Sequence, residues 1–177
     1  MKGNVPTILR PENLSLTPFI DYLEIVNGVM VEIGSYTGES AEAFAKSGKF
    51  KEIFCVDPWV DDYDLSVQLC HICYFKVVEE TFDNRIKAYD FIKKRKAFSK
   101  DAVTEFVDRS LDLVYIDGNH AHEFVVEDIT LWMPKVKRGG YLTGHDYGFR
   151  DGVKTGVDYI FGQPEIVFPD STWVVRI

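Results

Sequence analysis

Four acids and two histidines fall where strand-like runs of this chain end. Glu32 stands just before the glycine turn Gly34-Ser35-Tyr36-Thr37-Gly38. Asp57 closes the run 52–56, Asp117 and His120 follow the run 111–116, and His145-Asp146 follow the run 141–144. In open α/β sheets the carboxyl ends of the strands are the edge where ligands bind. Several carboxylates crowded together are costly unless cations or donors offset them, so this set calls for a cationic ligand, a divalent metal, or both. Imidazoles beside carboxylates can ligate metal or move protons.

Residues 29–40 organise the chain. The first half is apolar apart from Glu32 and rich in β-branched residues, as in a strand buried on both faces. Gly34 breaks it and Gly38 opens a helical run through Ala41, Phe44 and Ala45. A strand, a glycine turn and a helix form the first half of a β-α-β unit that holds a nucleotide-like cofactor at the turn. A dinucleotide fingerprint wants a glycine where Tyr36 stands, and Glu32 would repel a phosphate. Both features disfavour an NAD-dependent enzyme. A carboxylate there suits a phosphate-free cation, and S-adenosylmethionine carries an ammonium and a sulfonium. The pattern E-x-G-x-x-x-G resembles the first motif of class I S-adenosylmethionine-dependent methyltransferases. Asp57, at the end of the second strand, sits where a carboxylate accepts from ribose hydroxyls.

The elements around these residues alternate. Helical spacing is expected over 16–26, from the glycine turn to about Lys46, over 66–85, from Ala102 to Val107, over 122–133 and over 152–161. Strands are expected at 29–33, 52–56, 92–97, 111–116 and 141–144, with 166–168 and 172–177 as a closing antiparallel pair. Residues 59–64 read as a loop near the site, and Lys137-Arg138-Gly139-Gly140 as a turn. Phe98-Ser99 follows the third strand, where an adenine ring would rest against an aromatic side chain. Two motifs take plainer readings. Cys70-His71-Ile72-Cys73 falls inside a helix and reads as two small apolar thiols of a core, because redox and zinc contexts are both lacking. Lys93-Lys94-Arg95-Lys96 reads as an edge strand protected by charge.

The totals set limits. The chain has 177 residues, 46% of them hydrophobic and 27% charged, with a net charge of -8. Such a length suits one domain over residues 1–177, with 1–28 as an N-terminal helical extension. The acidic balance argues against a nucleic-acid partner. No apolar run approaches the roughly 18 residues needed to span a bilayer, so no membrane partner is expected. Residues 1–11 lack the apolar core of a signal peptide, and three cysteines make no disulfide framework, so a cytoplasmic location is expected. A small-molecule acceptor is the expected partner, and a homodimer is left open.

The blocks S-L-D-L-V-Y-I-D-G-N-H and W-M-P-K-V-K-R-G-G-Y-L-T-G-H-D-Y carry a specific resemblance. The chain resembles class I methyltransferases of the methyltransferase-24 type, which are similar to catechol and macrolide-sugar O-methyltransferases. The resemblance runs from about Val29 to the end. It implies an α/β fold, a three-layer α/β/α sandwich whose Rossmann-like seven-stranded sheet is mostly parallel with the last strand antiparallel. It implies that Glu32, Gly34, Ser35, Tyr36 and Gly38 hold the amino-acid part of S-adenosylmethionine, Asp57 the ribose, and Phe98 and Ser99 the adenine, with Asp117 close by. In metal-dependent relatives the magnesium ligands map onto Asp117, His145 and Asp146. His145 replaces an acid there, and its imidazole leaves Mn as open as Mg. The metal-free alternative makes His120, His122 or His145 the general base, with His122 the least supported. The activity implied is O-methylation of a small sugar or phenolic hydroxyl, with Asp117, His120 and His145 as catalytic candidates. A competing class is a non-haem iron oxygenase using His120, His145 and Asp117 or Asp146. A binding module that kept the pocket is another.

Overall fold

The first strand, β1 (Gly28–Ile33), is buried at every residue but Val29. Its side chains alternate between two cores. Met30 packs in one with Phe19, Phe44 and Leu113, while Val31 and Ile33 pack in the other with Val114, Ile129 and Trp132. A strand buried on both faces belongs in the interior of a parallel sheet, and β1 takes that place. The computed structural model describes residues 15–64 and 74–177. The remaining strands are β2 (Phe50–Asp57), β3 (Ile92–Lys96), β4 (Leu111–Ile116), β5 (Val136–Gly144), β6 (Ile166–Val167) and β7 (Trp173–Arg176). The seven form one sheet in the order β3-β2-β1-β4-β5-β7-β6. Pairing is parallel from β3 to β5, and β7 runs antiparallel to both β5 and β6.

Helices cover both faces. On one lie α1 (Thr17–Tyr22), α2 (Glu39–Lys46) and α3 (Phe75–Ile86), which send Phe19, Phe44, Val78 and Phe82 into the first core. On the other lie α4 (Ser99–Ala102), α5 (His122–Trp132) and α6 (Asp151–Phe161), which send Ala102, Val125, Ile129, Trp132 and Val157 into the second. This is the expected three-layer sandwich. Phe44 centres the first core, its ring 5.2 Å from Tyr115, 5.9 Å from Phe50 and 6.2 Å from Phe19.

Several elements differ from expectation, each for a local reason. The run 16–26 is helical only through α1, because Leu23 turns extended (ψ 121°) and the chain then buries Leu23 and Ile25. The helix over 102–107 shrinks to α4 and one 3-10 turn, Val103–Glu105. The expected turn at 137–140 is strand: β5 runs through it, with the pairing slipping between Leu111 and Leu113 and Gly139 at φ +77°. A bulge, not a chain reversal, is what these glycines serve. Of the helix over 66–85, the described part is α3, and Cys70, His71, Ile72 and Cys73 lie outside the described residues, as do residues 1–11. β3 is the sheet edge, and its cations are engaged: Lys94 and Lys96 pair with Glu79 at 2.7 and 2.6 Å, and Arg95 pairs with Glu105 at 3.0 Å.

The parallel strands converge at Gly34. Its N–H donates to Val56 O, and the Asp117 N–H donates to Ile33 O, both at 2.8 Å. Gly34 sits at φ +85°, and a Cβ there would lie 2.1 Å from the Asp117 carbonyl oxygen. Gly48 has φ +69° but open space around its Cβ position. Gly48→Ala should therefore cost only the left-handed backbone penalty, about 1–2 kcal/mol. Gly34→Ala must add a backbone displacement and should lose at least about 3 kcal/mol. Urea denaturation of the two variants checks this ordering.

Candidate active site

The carboxyl ends of β1, β2, β4 and β5 open into one cavity of about 550 Å³, within the range of small-ligand sites. Its wall includes Gly34, Ser35, Tyr36, Asp57, Ser99 and Asp117, and, beyond Asp117, His120, His145, Asp146 and Arg150. Of the four strand-end acids, Asp57, Asp117 and Asp146 line this cavity, and Glu32 lies outside its wall.

At the β1 end, Glu32 is fully buried behind the wall, between Cys55 and Tyr115 of the neighbouring strands. Neither of its carboxylate oxygens has a hydrogen-bond partner among the described residues. Burial pushes its carboxyl up to about 7, against the lowering effect of the adjacent Ser35 and Ser40 hydroxyls. Both serines line the cavity, so they stand between the charge and the open space. The turn itself is tightly specified. Tyr36 holds φ +45°, and Gly38 caps α2 at φ +80°, where a Cβ would lie 2.9 Å from the Phe82 ring. From α3, the Arg85 Nε donates to Thr37 O at 2.9 Å.

Asp57 stands at the next strand end, 6% exposed. Its Oδ2 accepts from the Tyr36 N–H at 2.9 Å and its Oδ1 from the Trp59 N–H at 2.7 Å. Burial raises its carboxyl to about 6 in spite of these donors. Each oxygen keeps lone-pair capacity for a ligand. Trp59, also at positive φ, returns its indole N–H to Tyr36 O at 2.9 Å. The loop 59–64 does lie at the site: Val60, Tyr63 and Asp64 line the cavity. Further along, the Ser99 hydroxyl donates to buried Asp128 and accepts from the Trp132 indole N–H at 2.7 Å. Burial raises the Asp128 carboxyl to about 7. Phe98 does not reach the wall. It is 38% exposed, and its ring packs 5.3 Å from Tyr63, which takes the lining position instead.

The far end is built around His120. Its Nδ1 lies 2.5 Å from Asp64 Oδ2, which also accepts the His120 backbone N–H at 3.0 Å. Its Nε2 lies 3.0 Å from Asp146 Oδ2 and 3.6 Å from Asp117 Oδ1. Burial pulls the imidazole pKa down, yet the carboxylates of Asp117, Asp146 and Asp64 outweigh it and raise it to about 11. Asp146 is held well below the usual carboxylate range: its burial is overcome by the two imidazoles that contact it. His145 differs from expectation. Its Nδ1 lies 2.9 Å from Asp146 Oδ1, the oxygen turned away from His120. The group of side chains able to share one ion is Asp117, His120 and Asp146, with His120 where His145 was expected. Asp146 itself holds left-handed backbone, φ +63°. His122 bonds Thr155 at the exposed start of α5 and has no part in the cavity wall.

Residues 31–147 match a family described as "Methyltransferase domain". The chain belongs to this family. A protein of Acanthamoeba polyphaga mimivirus called R132 is 25% identical over 124 residues, 66% of this chain and 50% of that protein. The y4gI protein of Sinorhizobium fredii is 28% identical over 132 residues, 69% of this chain and 13% of that protein. The chain thus spans half or less of these curated relatives. Among solved structures, the O-methyltransferase NovP superposes with a TM-score of 0.66 at 18% identity, covering 85% of this chain and 72% of that one. A methyltransferase from Thiobacillus denitrificans in complex with S-adenosyl-L-homocysteine gives 0.52 at 19% identity, covering 77% and 48%. At these identities the likeness is one of fold.

The family and the fold, shared with methyltransferases of known structure, favour the methyl-transfer reading over the non-haem iron oxygenase. The residues present fit the methyl donor. A buried carboxylate without partners, Glu32, faces the need for a cation, and Asp57 presents an acceptor to hydroxyls. Asp64, Asn119, Asp128, Tyr63 and Arg150 also line the cavity; none was singled out from the sequence. The burial of Glu32 yields a test. Its carboxyl is raised from 4.5 to about 7 on folding, so its stability contribution is full below pH 4.5 and is lost as pH rises through 7. Glu32→Gln should stabilise the ligand-free methyltransferase by up to about 3 kcal/mol at pH 8 and by less than about 1 kcal/mol at pH 5. Urea denaturation at the two pH values reads the difference.

Proposed function

We propose that this methyltransferase methylates a hydroxyl of a small acceptor, a sugar or a phenol. The observation that carries the reading is the two-ended cavity. Glu32 and Asp57, both raised by burial, stand at one end, and a histidine–carboxylate array stands at the other. When bound, S-adenosylmethionine supplies an electrophilic methyl group on a sulfonium. Glu32, behind Ser35 and Ser40, provides the negative potential for its ammonium, and the backbone of Gly34 to Gly38 shapes the contact surface. Asp57 accepts from the ribose hydroxyls. Ser99 and Asp128, with Tyr63 across from them, form the adenine end. Asp117 separates the two halves.

At the acceptor end, placement of the oxygen in line with the methyl group supplies much of the acceleration. His120, charged by its three carboxylates, has no free site for a proton at neutral pH, so the base role expected of it passes to His145. Asp146 Oδ1, 2.9 Å from His145 Nδ1, orients the ring for that role. Asp117, His120 and Asp146 suit a divalent cation, which would lower the acceptor's pKa. NovP, an O-methyltransferase of similar fold, supports oxygen as the methylated atom. The net charge of -8 disfavours nucleic acid as acceptor. No helix among the described residues is long and apolar enough to cross a membrane.

Two outcomes are expected. Asp57→Asn should weaken S-adenosylmethionine binding at least about tenfold by calorimetry, with the fold retained by circular dichroism. In the unaltered protein, affinity should rise between pH 5.5 and 8, as Asp57 and Glu32, raised to about 6 and 7, give up their protons to meet a cation. Unchanged affinity in the variant overturns the ribose role. Separately, His145→Gln should lower kcat by about 10²–10³-fold while leaving the donor dissociation constant within about twofold. A variant with full kcat removes His145 as the base.

A further inference from the structure

The donor half of the cavity is backed by α3. Phe75 sets its ring 6.0 Å from that of Tyr36, and the Phe82 ring lies 2.9 Å from where a Cβ on Gly38 would stand. Arg85, its side chain 27% exposed, completes the contact. Its guanidinium serves three acceptors at once. Nε donates to Thr37 O at 2.9 Å, Nη2 lies 3.3 Å from Glu39 Oε1, and Nη1 lies 3.4 Å from Glu42 Oε2. Thr37 belongs to the glycine turn, between left-handed Tyr36 and left-handed Gly38. The two glutamates belong to the first turn of α2. Asp57 grips the same glycine turn from β2, through the Tyr36 N–H at 2.9 Å. The turn is thus fixed at successive residues by groups from β2 and α3. Left-handed backbone at a tyrosine is costly and persists only where its surroundings over-determine it. A plainer role for Arg85 is to tie α3 to α2 by ion pairs. Those pairs are long and partly exposed, which makes them weak, whereas the 2.9 Å bond goes to the turn itself.

We propose that Arg85 is a positioning residue for the methyl donor: it holds the 34–38 turn in the shape that receives the donor's amino-acid end. Among the described residues the cavity wall includes Thr37 but not Arg85, so the effect passes through the Thr37 carbonyl. The place demands a fork. A guanidinium presents several donors in one fixed plane and can serve a carbonyl and two carboxylates together, while a lysine offers a compact point charge on a flexible stem. This role rests on the reading of the glycine turn as the donor site.

The test titrates the whole chain with S-adenosylmethionine by calorimetry, with urea denaturation and circular dichroism on the same samples. Arg85→Met should weaken the donor at least about tenfold, as the turn loses a charge-assisted hydrogen bond. Arg85→Lys should recover part of this and weaken it about three- to tenfold. Glu42→Gln is the control for a merely structural role. It breaks the Arg85 and Lys46 ion pairs between and along the helices without touching Thr37. It should lower stability, yet leave donor affinity within about twofold. Stability and affinity therefore separate: both arginine variants lose affinity and the glutamate variant does not. Arg85→Met with the parent's affinity, or Glu42→Gln with as large a loss as Arg85→Met, overturns the proposal. If Arg85→Met does not fold, Arg85→Lys is compared with Glu42→Gln in its place, and equal affinities overturn the proposal. A parent chain that binds no S-adenosylmethionine defeats the donor-site reading itself. Binding by the parent, matched by the arginine variants, defeats the role of Arg85 alone.

Discussion

Negative charge held in a poorly solvated cleft is the constraint on which the rest of this structure depends. Glu32, Asp57, Asp64, Asp117, Asp128 and Asp146 all lie in or directly behind one cavity. Carboxylates in such surroundings either pick up protons or find cations. Both outcomes occur here, and they divide the cavity. In the half under β1 and β2 burial lifts the carboxyls of Glu32 and Asp57, the latter against the lowering effect of Lys94. In the half under β4 and β5, two imidazoles push Asp146 the other way. One half is electrically incomplete until a positively charged molecule arrives, while the other carries its own positive charge. A sulfonium donor and a neutral acceptor are the pair of molecules that such a division suits.

Holding that charge requires a rim that does not relax. Several non-glycine residues adopt left-handed backbone there: Tyr36 and Trp59 at the donor half, Asp146 and Ser171 at the other. Asp57 holds Tyr36 and Trp59 together, and Ser171, in the β6–β7 turn, holds Asp146 and Tyr147. The antiparallel end of the sheet therefore has a task beyond closing the fold: it sets the angle of the acid after β5. Strained backbone concentrated at a ligand site is maintained only where the surroundings over-determine it.

The alternation of strands and helices was legible because β1, β4 and β5 are short apolar runs ended by glycine or acid, and α5 and α6 keep helical spacing. The positions of Glu32, Asp57, Asp117 and Asp146 along one edge followed from that alternation alone. What stayed hidden depends on contacts between distant loops. Asp64 belongs to a stretch with no periodicity, and nothing local says that it meets His120. Asp128 looks like a polar residue on the outer face of α5 until Ser99 is seen beside it. That the two oxygens of Asp146 face His120 and His145 separately is not revealed by sequence spacing. The 137–140 segment misled for a related reason: glycine pairs signal a bend in the backbone without saying whether the strand stops or bulges.

The half under β4 and β5 keeps an excess of negative charge even with His120 charged. One imidazolium faces three carboxylates, Asp64, Asp117 and Asp146, and Arg150 stands 3.7 Å from Asp146 on the solvent side. Proton and metal ion compete for the same Nε2, because a ligating imidazole must be neutral there. Exchanging a proton for a divalent ion adds positive charge where negative charge is in excess, without moving Asp64 from Nδ1. The same array can therefore work in two states. With a proton it is a rigid ion-pair knot that orients His145 through Asp146. With a metal it would carry a further positive charge in the same place. In both, Asp146 is the hinge of the arrangement, since its two oxygens face His120 and His145 separately and link the charge of one to the basicity of the other.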